Sequence, residues 1–246
     1  MLFRSFRSKG GKLILGSRIS ISSQNGEIID ESGQFKFSHL VNSTGAQADR
    51  LATKVGVSHD YAMVPFMGIY RSVSHNKLPL RTLVYPVPHK INPFLGVHFS
   101  LTTGGKVKIG PTAIPILGRE QYSLLEGWSI SDMREFIKGT FALIKGKKHD
   151  FSEIARQELP KLFQSRLVSE ASLLVPSAAE IRGWERKPPG IRAQLVHLPS
   201  GRLEQDFVVQ NHLNSTHILN AVSPGWTSSI PFGRYVAEEK VLPNLD

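Results

Sequence analysis

Short stretches of alternating apolar and polar residues fill the first quarter of the chain, which predicts half-buried β-strands. Ahead of them, apolar residues at helical spacing predict a short helix that ends at the glycine pair 10–11, followed by a strand over 12–15. The Asn-Gly pair at 25–26 is typical of a hairpin turn between two strands. Residues 40–41 read as the end of a buried strand, so this region is rich in β-structure.

Helical periodicity follows the strand at 40–41. Apolar residues recur at i, i+3, i+4 and i+7 at Ala48, Leu51, Ala52 and Val55, with Gly56 as a stop. Two further helices are predicted over 131–144 and 151–159, and Asp132 with Glu135 approximates a capping box for the first of them. A final helix is predicted to begin near Ser228.

The middle and the end of the chain return to strand patterning. Strands are predicted at 83–87, 95–101 and 107–109, and again at 191–196, 206–209 and 216–221. The Pro-Pro-Gly sequence within 186–190 is the clearest break in the chain. Helices and strands therefore mix, and the predicted class is α+β (mixed α/β) with considerable antiparallel content.

The amino-acid composition excludes several classes of protein and of functional site. The 246 residues, 40% of them hydrophobic, are enough for a sizeable core, which excludes wholesale disorder. The absence of cysteine excludes disulfides, thiolate metal sites and cysteine nucleophiles. No apolar run is long enough for a transmembrane helix. The nine histidines show no HExxH or closely paired spacing, so no metal site is expected.

The net charge of +10 favours an anionic partner without choosing among nucleic acid, a phosphate-bearing cofactor and a carboxylate substrate. The basic residues are spread along the chain, and the densest cluster, at 145–148, follows a predicted helix. Nucleic-acid binding is therefore not expected. Residues 1–26 lack acids, as organellar presequences do, but a short helix leading into a folded core is the preferred interpretation. A cytoplasmic protein is therefore expected, with peripheral membrane association as an alternative and organellar import less favoured.

Three features point to ligand binding. Two apolar strands run into small-residue turns and helix starts, at 40–46 and 219–228, where free backbone amides suit a phosphate or a developing anion. Arg192 lies in a predicted internal strand and needs a carboxylate or phosphate, either from a ligand or from a structural ion pair. His98 lies on a predicted strand, and its pattern favours a solvent-exposed polar face over a ligand contact.

Taken in order, several segments resemble the FAD-dependent amino-acid and hydroxyacid oxidase superfamily, most closely the L-2-hydroxyglutarate oxidase/dehydrogenase family. The sequence V-N-S-T-G-A-Q-A-D at 41–49 is similar to the family's second flavin motif, and P-F-M-G-I-Y at 65–70 to its P-F-K-G-x-Y segment. The remaining similar segments are 85–88, 94–99, 110–113, 190–194, 206–207 and 220–229.

The resemblance implies FAD as cofactor and a two-domain fold. Residues 1–60 and 190–246 would form a partial FAD-binding domain of the glutathione-reductase type. Residues 61–189 would form a substrate domain with a large mixed, mostly antiparallel sheet. The expected flavin-contacting residues come from the two turns: Asn42, Thr44, Gly45, Ala46, Ser223, Pro224, Gly225, Trp226, Thr227 and Ser228.

The implied activity is oxidation of a small L-2-hydroxy acid, such as 2-hydroxyglutarate, to the 2-oxo acid, with hydride passing to flavin N5. By resemblance Arg192 would hold the substrate carboxylate, and Tyr70, Tyr85 and His98 would line the substrate side. The family's opening GxGxxG motif and its acidic ribose ligand are absent from this sequence. Weak or absent FAD retention by this chain alone is therefore expected. An inactive truncated remnant, or half of a split enzyme whose companion chain carries GxGxxG, is the alternative function.

Overall fold

The computed structural model describes residues 2–17, 19–22, 27–30, 33–87, 96–123, 126–146, 151–222 and 224–245. It begins with helix α1 (Leu2–Ser8) and a three-stranded antiparallel sheet of β1 (Ser20–Ser22), β2 (Glu27–Asp30) and β3 (Gly33–Lys36). The predicted turn at 25–26 lies outside the described residues. The strand predicted at 12–15 is wrong: this segment pairs with no strand among the described residues, and Leu15 is 78% exposed.

Two long antiparallel strands, β5 (Tyr61–Ser74) and β9 (Glu185–His197), form the centre of a six-stranded sheet. The strand order is β10-β9-β5-β7-β6, and β8 also pairs with β5. The shorter strands are β6 (His98–Leu101), β7 (Lys106–Gly110), β8 (Ile114–Pro115) and β10 (Arg202–Leu203). The predicted α+β class with a large, mostly antiparallel sheet is confirmed.

The break predicted within 186–190 is wrong, because β9 runs straight through it. Pro188 and Pro189 fall where the register between β5 and β9 shifts, between Gly68 and Tyr70. A proline donates no backbone hydrogen bond, and an irregularity in the ladder tolerates that loss. The strand also crosses residue 190, the boundary of the predicted domains, and the division into 1–60 with 190–246 and 61–189 stays a prediction.

The strand predicted at 83–87 is also wrong, since it reduces to a single bridge between Val84 and Phe99. The C-terminal strands are β11 (Val208–His212), slightly later than predicted, and β12 (Ser215–Asn220). Strand β4 (Leu40–Asn42) lies parallel to β12 and is the outer strand of this third sheet. Because both β4 and β12 run the same way, both predicted turns leave the sheet from the same end.

Helices cover these sheets: α2 (Ala48–Lys54), α3 (Ile130–Gly146), α4 (Phe151–Glu158), α5 (Gln164–Ser172) and α6 (Ser229–Tyr235). The helix α5, which the sequence pattern did not predict, packs Leu167 against Phe99 and Ile109. On another part of the sheet, Leu143 of α3 packs with Val64 and Phe66 of β5. No helix in the described ranges has the length and apolar character needed to cross a membrane.

Candidate active site

The turn after β4 is built by the side chains of Asn42 and Thr44. Asn42 is buried; its Nδ2 donates to the carbonyl of Ala48 at 2.8 Å, and its Oδ1 accepts from Thr44 Oγ1 at 2.7 Å. These polar groups are therefore used inside the turn, where they fix its shape. Gly45, at φ +59°, would place a Cβ with no atom within 4 Å, so its backbone faces open space. The backbone at Gly45 is therefore open to a ligand.

A buried histidine supports the same turn from β12. His217 Nδ1 accepts from Asn42 Nδ2 at 3.0 Å, because an amide nitrogen can only donate, and its Nε2 donates to Ser215 Oγ at 2.9 Å. Burial, together with the charges of His212 and His39, lowers the pKa of His217 from 6.5 to about 4. The imidazole is therefore neutral at physiological pH.

His217 should make the protein lose stability in mild acid. The unfolded chain takes up a proton near pH 6.5 and the folded chain only near pH 4, so stability falls as the pH drops between these values. The loss is roughly 3 kcal/mol. Urea denaturation between pH 7.5 and 4 measures it, and His217→Gln, which keeps an acceptor for Asn42, should flatten the profile in this window. Parallel profiles for the two proteins would contradict the assignment.

The second predicted turn, before α6, is also held by its own side chains. The carbonyl of Pro224 accepts from Ser228 N at 3.0 Å, from Ser228 Oγ at 2.7 Å and from Thr227 Oγ1 at 3.3 Å. The Trp226 side chain is 85% exposed. Ser223 lies outside the described residues. The hydroxyls predicted to contact a cofactor are thus engaged within the turn, and Gly225 carries the backbone that remains available.

The two turns meet at one apolar cavity of about 630 Å³. Gly45 and Gly225 both line it, together with Met63, Ala193 and Phe232. The two turns that the resemblance assigns to the cofactor therefore lie at one place in the structure. Because the walls are mainly apolar and Gly45 has open space in front of it, the cavity fits a flat aromatic group such as part of a flavin.

A second, more polar cavity of about 820 Å³ adjoins the first and shares Gly45 with it. The four residues predicted on the substrate side all line it, and so do three residues of the first turn: Arg192, Tyr70, Tyr85, His98, Thr44, Gly45 and Ala46. We call this space the Arg192 cavity. The structure therefore brings together residues that stand up to 148 positions apart in the sequence.

His98 is held as a neutral acceptor in the Arg192 cavity. Its ring stacks on Tyr85 with centroids 4.5 Å apart, and its Nδ1 donates to the carbonyl of Gly96 at 3.0 Å. Since Nδ1 carries the hydrogen, Nε2 of the neutral ring is an acceptor. Burial, and to a smaller extent the charge of Lys108, lowers the pKa of His98.

Tyr70 and Arg192, both half-buried, lie at the wall of the same cavity. Burial raises the pKa of Tyr70, so its hydroxyl stays protonated and can donate. Lys108, a residue that the sequence did not single out, places its Nζ 3.5 Å from the Tyr70 ring centroid. Burial lowers the pKa of the Arg192 guanidinium, which is the effect expected of a cation whose charge an incoming carboxylate would stabilise.

Arg119 was missed by sequence reasoning. It lines the Arg192 cavity, is only 2% exposed, and donates to the carbonyl of Ala46 at 2.5 Å in the first turn. Its guanidinium also binds both carboxylate oxygens of Asp49 and one of Glu135 on α3. Arg119 thereby ties the turn at 44–47 to the large sheet and its helix. The signal was weak because Asp49 and Glu135 look like ordinary helix charges and Arg119 follows a short strand with no motif around it.

The capping box predicted from Asp132 and Glu135 is wrong. Ser129 and Asp132 form the reciprocal pair, since Ser129 Oγ accepts from Asp132 N at 3.1 Å and Asp132 Oδ2 accepts from Ser129 N at 3.1 Å. Glu135 instead pairs with Arg119 and Arg50. Within the described residues, no group of three or more His, Cys, Asp or Glu side chains could hold a metal ion.

Comparisons with known proteins point in one direction. The family described as FAD dependent oxidoreductase matches residues 1–239. L-2-hydroxyglutarate dehydrogenase of Escherichia coli K12 is 31% identical over 242 residues, which cover 95% of this chain and 56% of the relative. The human mitochondrial L-2-hydroxyglutarate dehydrogenase is 31% identical over 212 residues, covering 84% of this chain and 45% of the relative. The chain thus spans about half the length of these curated relatives.

Solved structures share the fold. FAD-bound L-alpha-glycerophosphate oxidase of Mycoplasma pneumoniae has a TM-score of 0.61 at 17% identity, covering 95% of this chain and 52% of the other. Glycine oxidase of Geobacillus kaustophilus has a TM-score of 0.57 at 17% identity, covering 98% of this chain and 52% of the other.

Proposed function

Since the chain belongs to the FAD-dependent oxidoreductase family, we propose that it takes part in the FAD-dependent oxidation of a small L-2-hydroxy acid, of the 2-hydroxyglutarate type, to the 2-oxo acid. The family match confirms the predicted oxidoreductase class and FAD as the family's cofactor. The observation that carries the substrate proposal is the Arg192 guanidinium in a polar cavity that also contains the Thr44–Ala46 turn.

Each wall of the Arg192 cavity has a proposed task. The planar guanidinium of Arg192 binds the substrate carboxylate as a two-pronged donor and so orients the neighbouring carbon. Tyr70 and Tyr85 restrict the orientation of the bound acid. The backbone of Gly45 and Ala46, and that of Gly225 across the apolar cavity, would contact the flavin. FAD, when bound, supplies the hydride acceptor.

His98 is the proposed proton acceptor. Oxidation of a hydroxy acid removes a hydride from the α-carbon and a proton from its hydroxyl, and the proton needs a base within hydrogen-bond reach. His98 Nε2 is an unprotonated acceptor at physiological pH, because burial lowers the pKa of the ring and Gly96 holds the hydrogen on Nδ1. This tautomer, fixed by the backbone, supports the role.

Dye reduction tests the proposed function. The purified chain is mixed with FAD, a dye acceptor and either L- or D-2-hydroxyglutarate, and dye bleaching is followed. With added FAD, the dye is expected to bleach in the presence of the L isomer, and His98→Phe should abolish this bleaching. Equal rates with both isomers, or a rate unchanged in His98→Phe, would contradict the proposed site.

A second candidate function is half of a two-chain enzyme. The observation that favours it is the outer edge of β4, which pairs with β12 on one side and with no described strand on the other, and Val41 on this strand is 42% exposed. Unpaired strand edges are templates for a further strand. In the same assay, turnover by a complex with a chain that carries GxGxxG, but not by this chain alone, would support this form.

A further inference from the structure

Two arginines lie directly opposite each other on the long central strands. Arg71 of β5 is the register partner of Arg186 of β9. Like charges directly opposite on neighbouring strands destabilise a sheet. Arg71 is also buried, at 5% exposure, whereas Arg186 is exposed. The repulsion between the two guanidinium groups therefore lowers the stability of the sheet unless an anion, from the protein itself or from a ligand, lies close to them.

Among the described residues the charge of Arg71 is not offset. Three Lys or Arg side chains are buried in the described part of the chain, namely Arg71, Arg119 and Lys161. Arg119 binds the carboxylates of Asp49 and Glu135. Lys161 binds those of Glu158 and Glu170. Arg71 has no carboxylate within ion-pair distance in the described ranges, and its buried Nε has no hydrogen-bond acceptor.

An arginine cannot escape this cost by losing its proton, since its guanidinium stays charged in proteins. Burial first, and then the charge of Arg186, lowers the pKa of Arg71, which is the direction expected when no anion is near. A buried charge without a partner destabilises the folded state. An anion from outside the described residues would remove most of that cost.

The space for such an anion is present. A cavity of about 500 Å³ is lined by Arg71, Arg186, Lys187, Tyr122, Ser123 and Glu126, with apolar residues completing the wall. Lys187 is partly neutralised by Glu185, at 3.4 Å, and Glu126 is exposed. The unbalanced charge is thus that of the two arginines, whose forked donors match the oxygens of a phosphate or carboxylate group.

This cavity differs from the Arg192 cavity. Phe66, Gly68 and Tyr70 of β5 line the Arg192 cavity, whereas the alternate residues Met67, Ile69 and Arg71 line the present one. Because successive strand residues point to opposite faces, the two spaces lie on the two sides of β5. They meet at Tyr70 and Tyr122, which line both.

We propose that this second cavity is a binding site for a small oxyanion, held between the guanidinium groups of Arg71 and Arg186. The group recognised is a phosphate or a carboxylate, from a free ion or from a small metabolite. The site requires neither flavin nor the proposed oxidation, so it stands or falls independently of the proposed function.

Calorimetric titration of the purified chain, with inorganic phosphate and separately with succinate at constant ionic strength, tests the site. Saturable binding of at least one probe is expected, and the tighter one identifies the preferred group. Arg186→Gln, at an exposed side chain, should raise the Kd about 10- to 100-fold. The matched control Arg182→Gln removes the same charge at another exposed position and should leave the Kd unchanged.

Two further variants separate this site from the alternatives. Arg71→Met should abolish binding and, without anion, should not lower the melting temperature, because it removes an unpaired buried charge. Arg192→Lys should bind phosphate with wild-type affinity and should keep a saturable succinate site that Arg186→Gln weakens, which places the anion outside the Arg192 cavity. No saturable binding of either probe, or an equal Kd in wild type and Arg186→Gln, would overturn the proposal. A Kd for phosphate raised by Arg192→Lys in place of Arg186→Gln would overturn it as well.

Discussion

Replacing Arg119 with methionine should destabilise the protein by about 3–5 kcal/mol, the cost of breaking a buried ion pair by removing one partner. Arg119 is 2% exposed and Asp49 is 5% exposed, so the Asp49 carboxylate would remain buried without its cation. The turn at 44–47 would also lose the hydrogen bond from Arg119 to the Ala46 carbonyl. Urea denaturation at pH 7 measures the free energy of unfolding.

Two controls keep this prediction informative even if Arg119→Met folds poorly. Arg119→Lys keeps the charge but cannot bind both oxygens of Asp49 and the Ala46 carbonyl together, so an intermediate loss is expected. The double variant Arg119→Met with Asp49→Asn removes both charges and should lose less than the two single variants added together. A loss below about 1 kcal/mol in Arg119→Met would show that the ion pairs carry little net stability.

Replacing Arg192 with methionine should weaken binding of 2-hydroxyglutarate by about 30- to 4,000-fold. Removing one partner of a desolvated, hydrogen-bonded charge pair costs about 2–5 kcal/mol, and 1.4 kcal/mol is a factor of ten. Isothermal titration of the chain with L-2-hydroxyglutarate, with and without FAD, measures the Kd. Arg192→Lys should recover only part of the affinity, because an ammonium lacks the two-pronged geometry.

The control for this prediction is Arg202→Met, at an exposed position on β10 that does not line the Arg192 cavity. Its Kd should equal that of the wild type. If turnover is obtained, Arg192→Met should also lower kcat/KM by a similar factor, since the carboxylate is held in both the bound acid and the transition state. Equal affinity in Arg192→Met and wild type would remove Arg192 from the substrate site.

Local pattern predicted the elements whose own residues dictate them. The apolar spacing at Ala48, Leu51, Ala52 and Val55 marked α2 to within one residue of its observed end, and the predicted helix 131–144 lies within α3. Local pattern failed where distant pairing decides. The prolines at 188–189 signal a break in any local reading, yet β5 holds them in a strand by pairing on either side of the irregularity.

The site divides in the same way. The resemblance of segments 41–49 and 190–194 to a flavoenzyme family identified the Thr44–Ala46 turn and Arg192, and both line one cavity. The resemblance did not reveal that the side chains of Asn42, Thr227 and Ser228 form hydrogen bonds within their own turns. Nor did it single out Arg119, whose carboxylate partners stand 70 and 16 positions away.

The sequence was sufficient for the mixed α and β class, the cysteine-free chemistry and the basic charge, because these depend on residue types and on spacing within a few turns or one strand. The family followed from the resemblance of several segments that occur in the same order along the chain. The tertiary structure alone decided the registration of β5 on β9, the joining of both turns at one cavity, and which buried cations are neutralised. Strand pairing and charge compensation depend on contacts between residues far apart in the chain, and their free energies are realised only when the whole core is assembled.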